Sequence, residues 1–219
     1  RPAAGGAGRA DQHAGRARAV SDSGLDGNGG PQALGLLQLR EDPQYPRIPA
    51  GRRIALVEAA LDDGRTLADH ARKLWGNEPA AIAAHCDVPI VRSKNEAGFG
   101  SIIVYADYVT RPPCITLYAP AILRLDKLMA ARGAGIGGIG STMPVFLAHE
   151  LYHHFDCLRG NERVSRRHAV KIFGIGRWHW TSGLSSLAEI AAGAFAQRLL
   201  GLPFHPKLLD LLLVEEVRS

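Results

Sequence analysis

The spacing of apolar positions changes twice along the chain, from helical spacing to strand-like runs and back. Apolar residues recur at helical spacing over residues 56–61 and 67–75, and residues 79–86 form a short alanine-rich helix. Residues 98–109 are rich in β-branched and aromatic side chains, which predicts a strand. Residues 114–118 follow two prolines and are predicted to be its partner.

Helical spacing returns in the second half of the chain. Four helices are predicted there, over residues 121–132, 142–158, 186–200 and 206–217. Several of these are long enough to pack against each other, whereas the strands are few and short. The sequence therefore predicts an α+β fold in which a helical bundle lies beside a small antiparallel β-sheet.

The first 50 residues differ in composition from the rest. Residues 1–31 are dominated by Gly, Ala, Arg, Asp and Ser and contain no aromatic residue, and residues 41–49 contain three of the chain's prolines. Such a stretch buries too little apolar surface to offset the entropy of ordering it. We therefore expect a disordered tail and linker over residues 1–50 and a folded domain over residues 51–219.

The composition of the chain disfavours several classes of protein. The net charge is +5, but the 26 Lys and Arg residues are scattered, so the pattern does not favour nucleic-acid binding. Three widely spaced cysteines argue against a disulfide framework, and no apolar run is long enough for a membrane span. With no signal-peptide pattern at the N-terminus, we expect a cytoplasmic location and no membrane partner.

The sequence His149-Glu150-Leu151-Tyr152-His153 carries the chemistry. On a helix, residues i and i+4 share one face, so both imidazoles can point at a single metal ion. Glu150 then lies beside the metal without occupying a coordination position, where it can take a proton from a metal-bound water. This pattern is typical of zinc-dependent peptide hydrolysis, with Glu150 as the general base.

A catalytic zinc ion usually has three protein ligands, and the extended motif with a third histidine fails here because Arg159 occupies that position. Glu189 is the best candidate for the third ligand, since it lies in the first turn of a strong helix. Small residues beside it would let that helix approach the motif helix closely. Asp156, about one turn after His153, is the rival, either as a ligand or as an acceptor for an imidazole N–H.

Two sequence blocks together resemble the ImmA/IrrE family of zinc metallopeptidases. The first runs from Phe146 to His154 and contains the histidine motif. The second runs from Glu189 to Leu200 and is similar to the E-x-x-A-N-x-F-A-x-x-L-L signature of that family. The resemblance covers roughly residues 65–205, because the upstream helices and hairpin occupy the places where the family has helices and a small sheet.

The resemblance implies one Zn²⁺ per chain, held by His149, His153 and Glu189, with Glu150 as the catalytic base. It also implies a protein or peptide substrate of a regulatory kind, such as a transcriptional repressor or an antitoxin. The alternative is a catalytically inactive metal-binding module with a regulatory or protein-interaction role.

The chain departs from the family pattern in two places. Gly193 stands where the family usually has Asn, and residues 159–185 form an insertion that includes Trp178-His179-Trp180. The insertion could form a flap over the metal, with His179 stabilising a developing oxyanion. The competing interpretation, which we favour, is a hairpin that packs its aromatic side chains on the body of the domain.

Overall fold

The computed structural model describes residues 30–99, 102–131, 140–175 and 177–209, which form a mixed α+β fold with three small sheets in these ranges. The predicted fold class is confirmed. Most of the buried side chains come from helices, which surround one hydrophobic core. Within these ranges, no helix combines the length and the apolar character that a membrane span requires.

The helices and strands have the following bounds. The α-helices are α1 (Pro31–Arg40), α2 (Arg53–Trp75), α3 (Pro79–His85), α4 (Ala119–Ala131), α5 (Met143–Leu158), α6 (Val164–Arg167) and α7 (Ser185–Leu200). The strands are β1 (Ile90–Ser93), β2 (Ala97–Phe99), β3 (Ile102–Val104), β4 (Ala106–Thr110), β5 (Pro113–Tyr118), β6 (Val170–Ile175) and β7 (Trp178–Ser182).

Helix α2 is continuous where the sequence suggested two helical segments. The polar residues between those segments do not interrupt it, because Asp63 accepts hydrogen bonds from the Tyr152 hydroxyl (2.8 Å) and from Arg159 (2.7 Å). Arg167 pairs with the same carboxylate. A carboxylate with three partners compensates for its burial, so the helix continues through it.

The predicted strand over residues 98–109 is divided into β2, β3 and β4. Strands β2 and β3 form their own antiparallel pair. Tyr105 separates β3 from β4, and its buried ring stacks on Phe146 with 4.5 Å between the ring centroids. Strand β4 pairs antiparallel with β5, as expected. The larger sheet has the order β1–β5–β4, and β1 runs parallel to β5, so this sheet is mixed and not purely antiparallel.

The chain between residues 31 and 50 differs from the tail that its composition suggested. Helix α1 begins at Pro31, which suits a first helical turn, and buries Leu34 and Leu39 in the core. Ile48 is also buried. The apolar residues here are few, but they are spaced to lie on one side of a short helix. Residues 1–29 and most of the predicted C-terminal helix, over 210–217, lie outside the described residues.

Helix α7 crosses α2 at very short range. A Cβ atom added to Gly64 would lie 2.1 Å from the backbone oxygen of Ala191, so only glycine permits this approach. Helix α7 is alanine-rich along its middle, and these small side chains are fully buried. The contact fixes the position of α7, which also packs against α5.

We predict that Gly64→Ala strongly destabilises the fold. The added methyl group meets backbone and not a movable side chain, so the expected loss in free energy of unfolding is about 1–3 kcal/mol or more. Gly51→Ala is the matched control, because nothing lies within 4 Å of its added Cβ. Urea denaturation of both variants measures the difference, and equal midpoints would contradict the close contact of α2 and α7.

Candidate metal centre

The motif helix α5 is held in the core by its apolar side and anchored at its N-terminus. Leu147, Ala148 and Leu151 are buried. Just before the helix, the carboxylate of Asp126 accepts hydrogen bonds from the backbone N–H (2.8 Å) and hydroxyl (2.7 Å) of Thr142. These contacts orient the opposite side of α5, where His149 and His153 lie, toward α7.

Helix α7 is anchored by a residue far away in sequence. Asp42 is buried, and its Oδ2 accepts hydrogen bonds from the backbone N–H (3.0 Å) and hydroxyl (2.9 Å) of Ser186. A carboxylate at a helix N-terminus satisfies a free N–H group and is favoured by the helix dipole. Glu189 follows one turn later, so Asp42 contributes to placing its side chain.

The structure brings His149, His153 and Glu189 together into one group. The two histidine Nε2 atoms are 3.1 Å apart. Glu189 Oε2 lies 3.1 Å from Nε2 of His149, and Glu189 Oε1 lies 3.3 Å from Nε2 of His153. The group is partly buried and offers three donor atoms that could hold a metal ion.

The spacing and chemistry of these donors fit zinc. Tetrahedral ligands at the usual zinc distances of about 2.0–2.1 Å are separated from each other by about 3.3–3.4 Å. The distance of 3.1 Å between the two histidine nitrogens lies close to that value, as do the distances of 3.1 and 3.3 Å from each nitrogen to an oxygen of the Glu189 carboxylate. Two imidazoles and one carboxylate are a usual donor set for a zinc site with an open position.

The two carboxylates of the site have opposite pKa shifts. Burial raises the pKa of Glu150 above its usual range, although the neighbouring His149 and His153 oppose this effect. For Glu189, burial acts in the same direction, but hydrogen bonds from both histidines outweigh it and lower the pKa. Glu189 is therefore ionised, as a metal ligand must be, while Glu150 is a stronger proton acceptor than an exposed carboxylate.

The donors open into a cavity of about 250 Å³. Glu150 lines this cavity together with His149 and Glu189. The remaining wall comes from the β3–β4 region, from the start of α5, and from two segments at opposite ends of the chain. The general base predicted from the motif and two of the three predicted ligands therefore face one common space.

Asp156, the rival ligand, is not in the donor group. It is buried, and its Oδ1 accepts a hydrogen bond from the backbone N–H of Val164 (3.1 Å), so it organises the turn after α5. His154 is also directed elsewhere, with its Nδ1 2.9 Å from the Tyr108 hydroxyl. Tyr152, inside the motif, packs in the core.

The predicted flap is a hairpin of β6 and β7 that does not line the metal cavity. Its aromatic residues are not packed on the body of the domain either, since Trp178 is 74% and Trp180 59% exposed. Both interpretations of this segment are therefore wrong in part. The hairpin itself forms, but Trp178 and Trp180 remain at the surface.

Sequence reasoning missed two residues of the cavity wall, Gln38 and His205. Gln38 lies in the segment that composition assigned to a tail. His205 lies 52 residues after His153, and no sequence signal connects it to the motif. Gly193 was expected to ease the approach of α7 to α5, but the space beside it is filled by the His205 ring.

Comparison of the chain with models of known protein families, with curated proteins and with solved structures finds no match. The functional argument therefore depends on the donor group and the cavity beside it.

We predict that the full chain binds about one zinc ion, the usual content of a catalytic site. Glu189→Gln should lose most of this zinc, because a neutral amide is a poor ligand, whereas Asp156→Asn should keep it. Both substitutions replace a carboxylate by an amide of the same size, so they are matched. Plasma mass spectrometry measures the metal, and zinc should raise the Tm of the wild type and of Asp156→Asn but not that of Glu189→Gln. Loss of zinc in Asp156→Asn, with zinc retained in Glu189→Gln, would contradict the assignment of Glu189 as the third ligand.

Proposed function

We propose that this chain is a zinc-dependent metallopeptidase similar to the ImmA/IrrE family. His149, His153 and Glu189 are the proposed ligands, and Glu150 is the proposed general base. The observation that carries the proposal is the convergence of two imidazoles and one carboxylate at zinc spacing, with Glu150 in the same cavity. The proposal is supported by this geometry and by the resemblance of the two sequence blocks to the ImmA/IrrE family.

A zinc ion bound there supplies Lewis-acid chemistry, since it lowers the pKa of a water molecule and polarises a carbonyl group. The protein's own contribution is the movement of a proton. Glu150 takes a proton from the attacking water as the new C–O bond forms at the scissile carbonyl. It then gives this proton to the amine nitrogen as the C–N bond breaks. The raised pKa of Glu150 suits both steps.

An extended peptide is the substrate shape that best suits the cavity. Strand β4 lies at the edge of its sheet, where it pairs only with β5 in the described part of the chain, and it packs against α5. An edge strand offers unpaired backbone groups to a peptide that aligns beside it. Tyr105 and Ala106, at the start of β4, line the cavity that contains Glu150. A peptide on this edge would therefore pass close to the general base.

The kind of substrate is inferred from the resemblance. Family members cleave regulatory proteins, so we propose a protein such as a repressor or an antitoxin as the substrate. Nucleic acid is not proposed as a partner. The arginines that follow α5 are bonded within the protein, Arg163 to the Cys157 carbonyl, Arg166 to Asn161 and Arg167 to Asp63.

A second candidate function is a metal-binding module that recognises a protein without cleaving it. The observation that favours it is the exposed aromatic hairpin, where Trp178 and Trp180 lie at the surface away from the cavity. Exposed aromatic residues of this kind are frequent in protein interfaces. Peptide hydrolysis by the zinc-loaded chain separates the two candidates.

We predict that Glu150→Gln lowers kcat/KM for peptide hydrolysis by about 10²–10⁴-fold while zinc content is unchanged, because only proton transfer is removed. Glu162→Gln is the matched control, since Glu162 is exposed on the turn after α5 and does not line the cavity. Cleavage of a broad peptide library, followed by mass spectrometry, measures both.

Two results would oppose the peptidase proposal. A wild type that holds zinc but cleaves no peptide favours the binding module. Cleavage that survives Glu150→Gln removes Glu150 from the role of general base. A loss of activity in Glu162→Gln would point to a general effect on folding, which circular dichroism of the same samples detects.

A further inference from the structure

Two polar atoms in the wall of the metal-site cavity have no hydrogen-bond partner among the described residues. They are Oε1 of Gln38 and Nε2 of His205, and both atoms are buried. His205 as a whole is only 2% exposed. Buried polar groups are nearly always paired, so an unpaired acceptor and an unpaired donor in one cavity indicate that a ligand supplies the missing partners.

The hydrogen bonding of His205 assigns its proton. The backbone N–H of Lys207 donates to Nδ1 at 3.3 Å, so Nδ1 is an acceptor and the neutral ring carries its proton on Nε2. Burial, together with nearby positive groups of which His149 is the first, lowers the pKa of His205 to about 4. His205 is therefore a neutral side chain with one free N–H donor.

The absence of a side chain at Gly193 sets the position of this donor. A Cβ atom at Gly193 would lie 2.6 Å from Cε1 and 2.8 Å from Nε2 of His205, so the ring occupies the space above the glycine. Gly193 is one helical turn after Glu189 on α7, and both residues line the cavity. The ring is thus held against the same helix that supplies the proposed third ligand.

Gln38 and His205 both line the cavity, and an ion pair links the chain segments that carry them. Lys207 Nζ lies 3.4 Å from Oε2 of Glu41, which links the turn that contains His205 to the end of α1. Gln38 precedes Glu41 by three residues, and residues three apart are neighbours on a helix surface. Gln38 and His205 therefore lie on linked segments of the cavity lining.

We propose that Gln38 and His205 form a subsite for a neutral amide group of the substrate. The amide oxygen accepts from Nε2–H of His205, and the amide N–H donates to Oε1 of Gln38. This inference depends on the proposed function, because it assumes that the cavity receives a peptide.

An amide satisfies both partners from two separate atoms, whereas a hydroxyl group would have to serve both from a single oxygen. A carboxylate has no hydrogen to donate to Gln38, an ammonium group has no oxygen to accept from His205, and an apolar side chain leaves both atoms unpaired. Sites built to pair with a polar group reject ligands that lack it far more strongly than apolar pockets discriminate by size. The amide is either the carboxamide of an Asn or Gln side chain or a peptide group of the substrate backbone.

The first test measures binding without catalysis. The zinc-loaded full chain, labelled with ¹⁵N in its imidazoles, is titrated with N-acetylglutamine methylamide and with N-acetylmethionine methylamide. His205→Phe assigns the His205 signal. We expect the glutamine probe to shift the Nε2 resonance. An equal shift with the methionine probe identifies the backbone amide as the recognised group. No shift with either probe overturns the subsite.

The second test removes the acceptor and keeps the fold. Gln38→Leu should weaken binding of the effective probe by about tenfold, the usual effect of losing one hydrogen bond of this kind. Gln32→Leu, on the exposed side of the same helix, is the control and should bind as the wild type does. Equal binding by both variants would show that a buried water, and not the substrate, pairs with Gln38.

Cleavage of a peptide library separates this inference from the proposed function. If the subsite recognises a side-chain amide, Gln38→Leu lowers kcat/KM by about 10–100-fold more for peptides with Asn or Gln near the cleavage site than for peptides without them. If it recognises a backbone amide, Gln38→Leu lowers kcat/KM for all cleaved peptides by a similar factor. Cleavage by the wild type without any effect of Gln38→Leu overturns the subsite alone. A wild type that binds the probes but cleaves nothing overturns the peptidase proposal and keeps the amide subsite.

Discussion

The contact between α2 and α7 at Gly64 is the constraint on which the candidate site depends. The backbone of α7 approaches so closely there that no side chain can intervene. Once α7 is held in this position, Glu189 faces α5, where His149 and His153 lie one turn apart. A movement of α7 by a fraction of a helix diameter would separate the donor groups. The two histidine Nε2 atoms are now 3.1 Å apart, and one oxygen of the Glu189 carboxylate lies within 3.1–3.3 Å of each.

Buried polar groups in this fold divide into two kinds. Asp42 and Asp156 are buried and Asp63 is partly buried, and each accepts hydrogen bonds that tie one element to another. These groups stabilise the architecture because their partners compensate for lost hydration. Gln38 and His205 line the cavity and keep unpaired atoms there. The contrast suggests that the cavity wall is adapted to a ligand, whereas the core carboxylates are adapted to the fold.

Both ends of the described chain contribute to the site. Helix α1, from a segment with the composition of a linker, supplies Asp42 just beyond its end, which anchors α7, and Gln38, which lines the cavity. The turn after α7 supplies His205. Composition alone did not predict that residues 31–50 fold. A few apolar residues at the right spacing are enough to pack a short helix on an existing core.

Periodicity predicted most helices and the pairing of β4 with β5, because these depend on local spacing. It failed where distant parts of the chain decide the outcome. The strand over residues 98–109 is broken because Tyr105 turns into the core to stack on Phe146. The parallel pairing of β1 with β5 was not predictable from either strand alone, since parallel partners are joined by long connections.

The sequence by itself determined that two imidazoles share one helix face with Glu150 beside them, because the geometry of a helix fixes residues four apart. It also predicted Glu189 as a candidate third ligand, from its position on a second helix. Only the tertiary structure placed Glu189, and not Asp156, beside the two imidazoles, since that depends on how two helices pack. It also placed Gln38 and His205 in the cavity, because contacts between segments far apart in sequence leave no periodic signal.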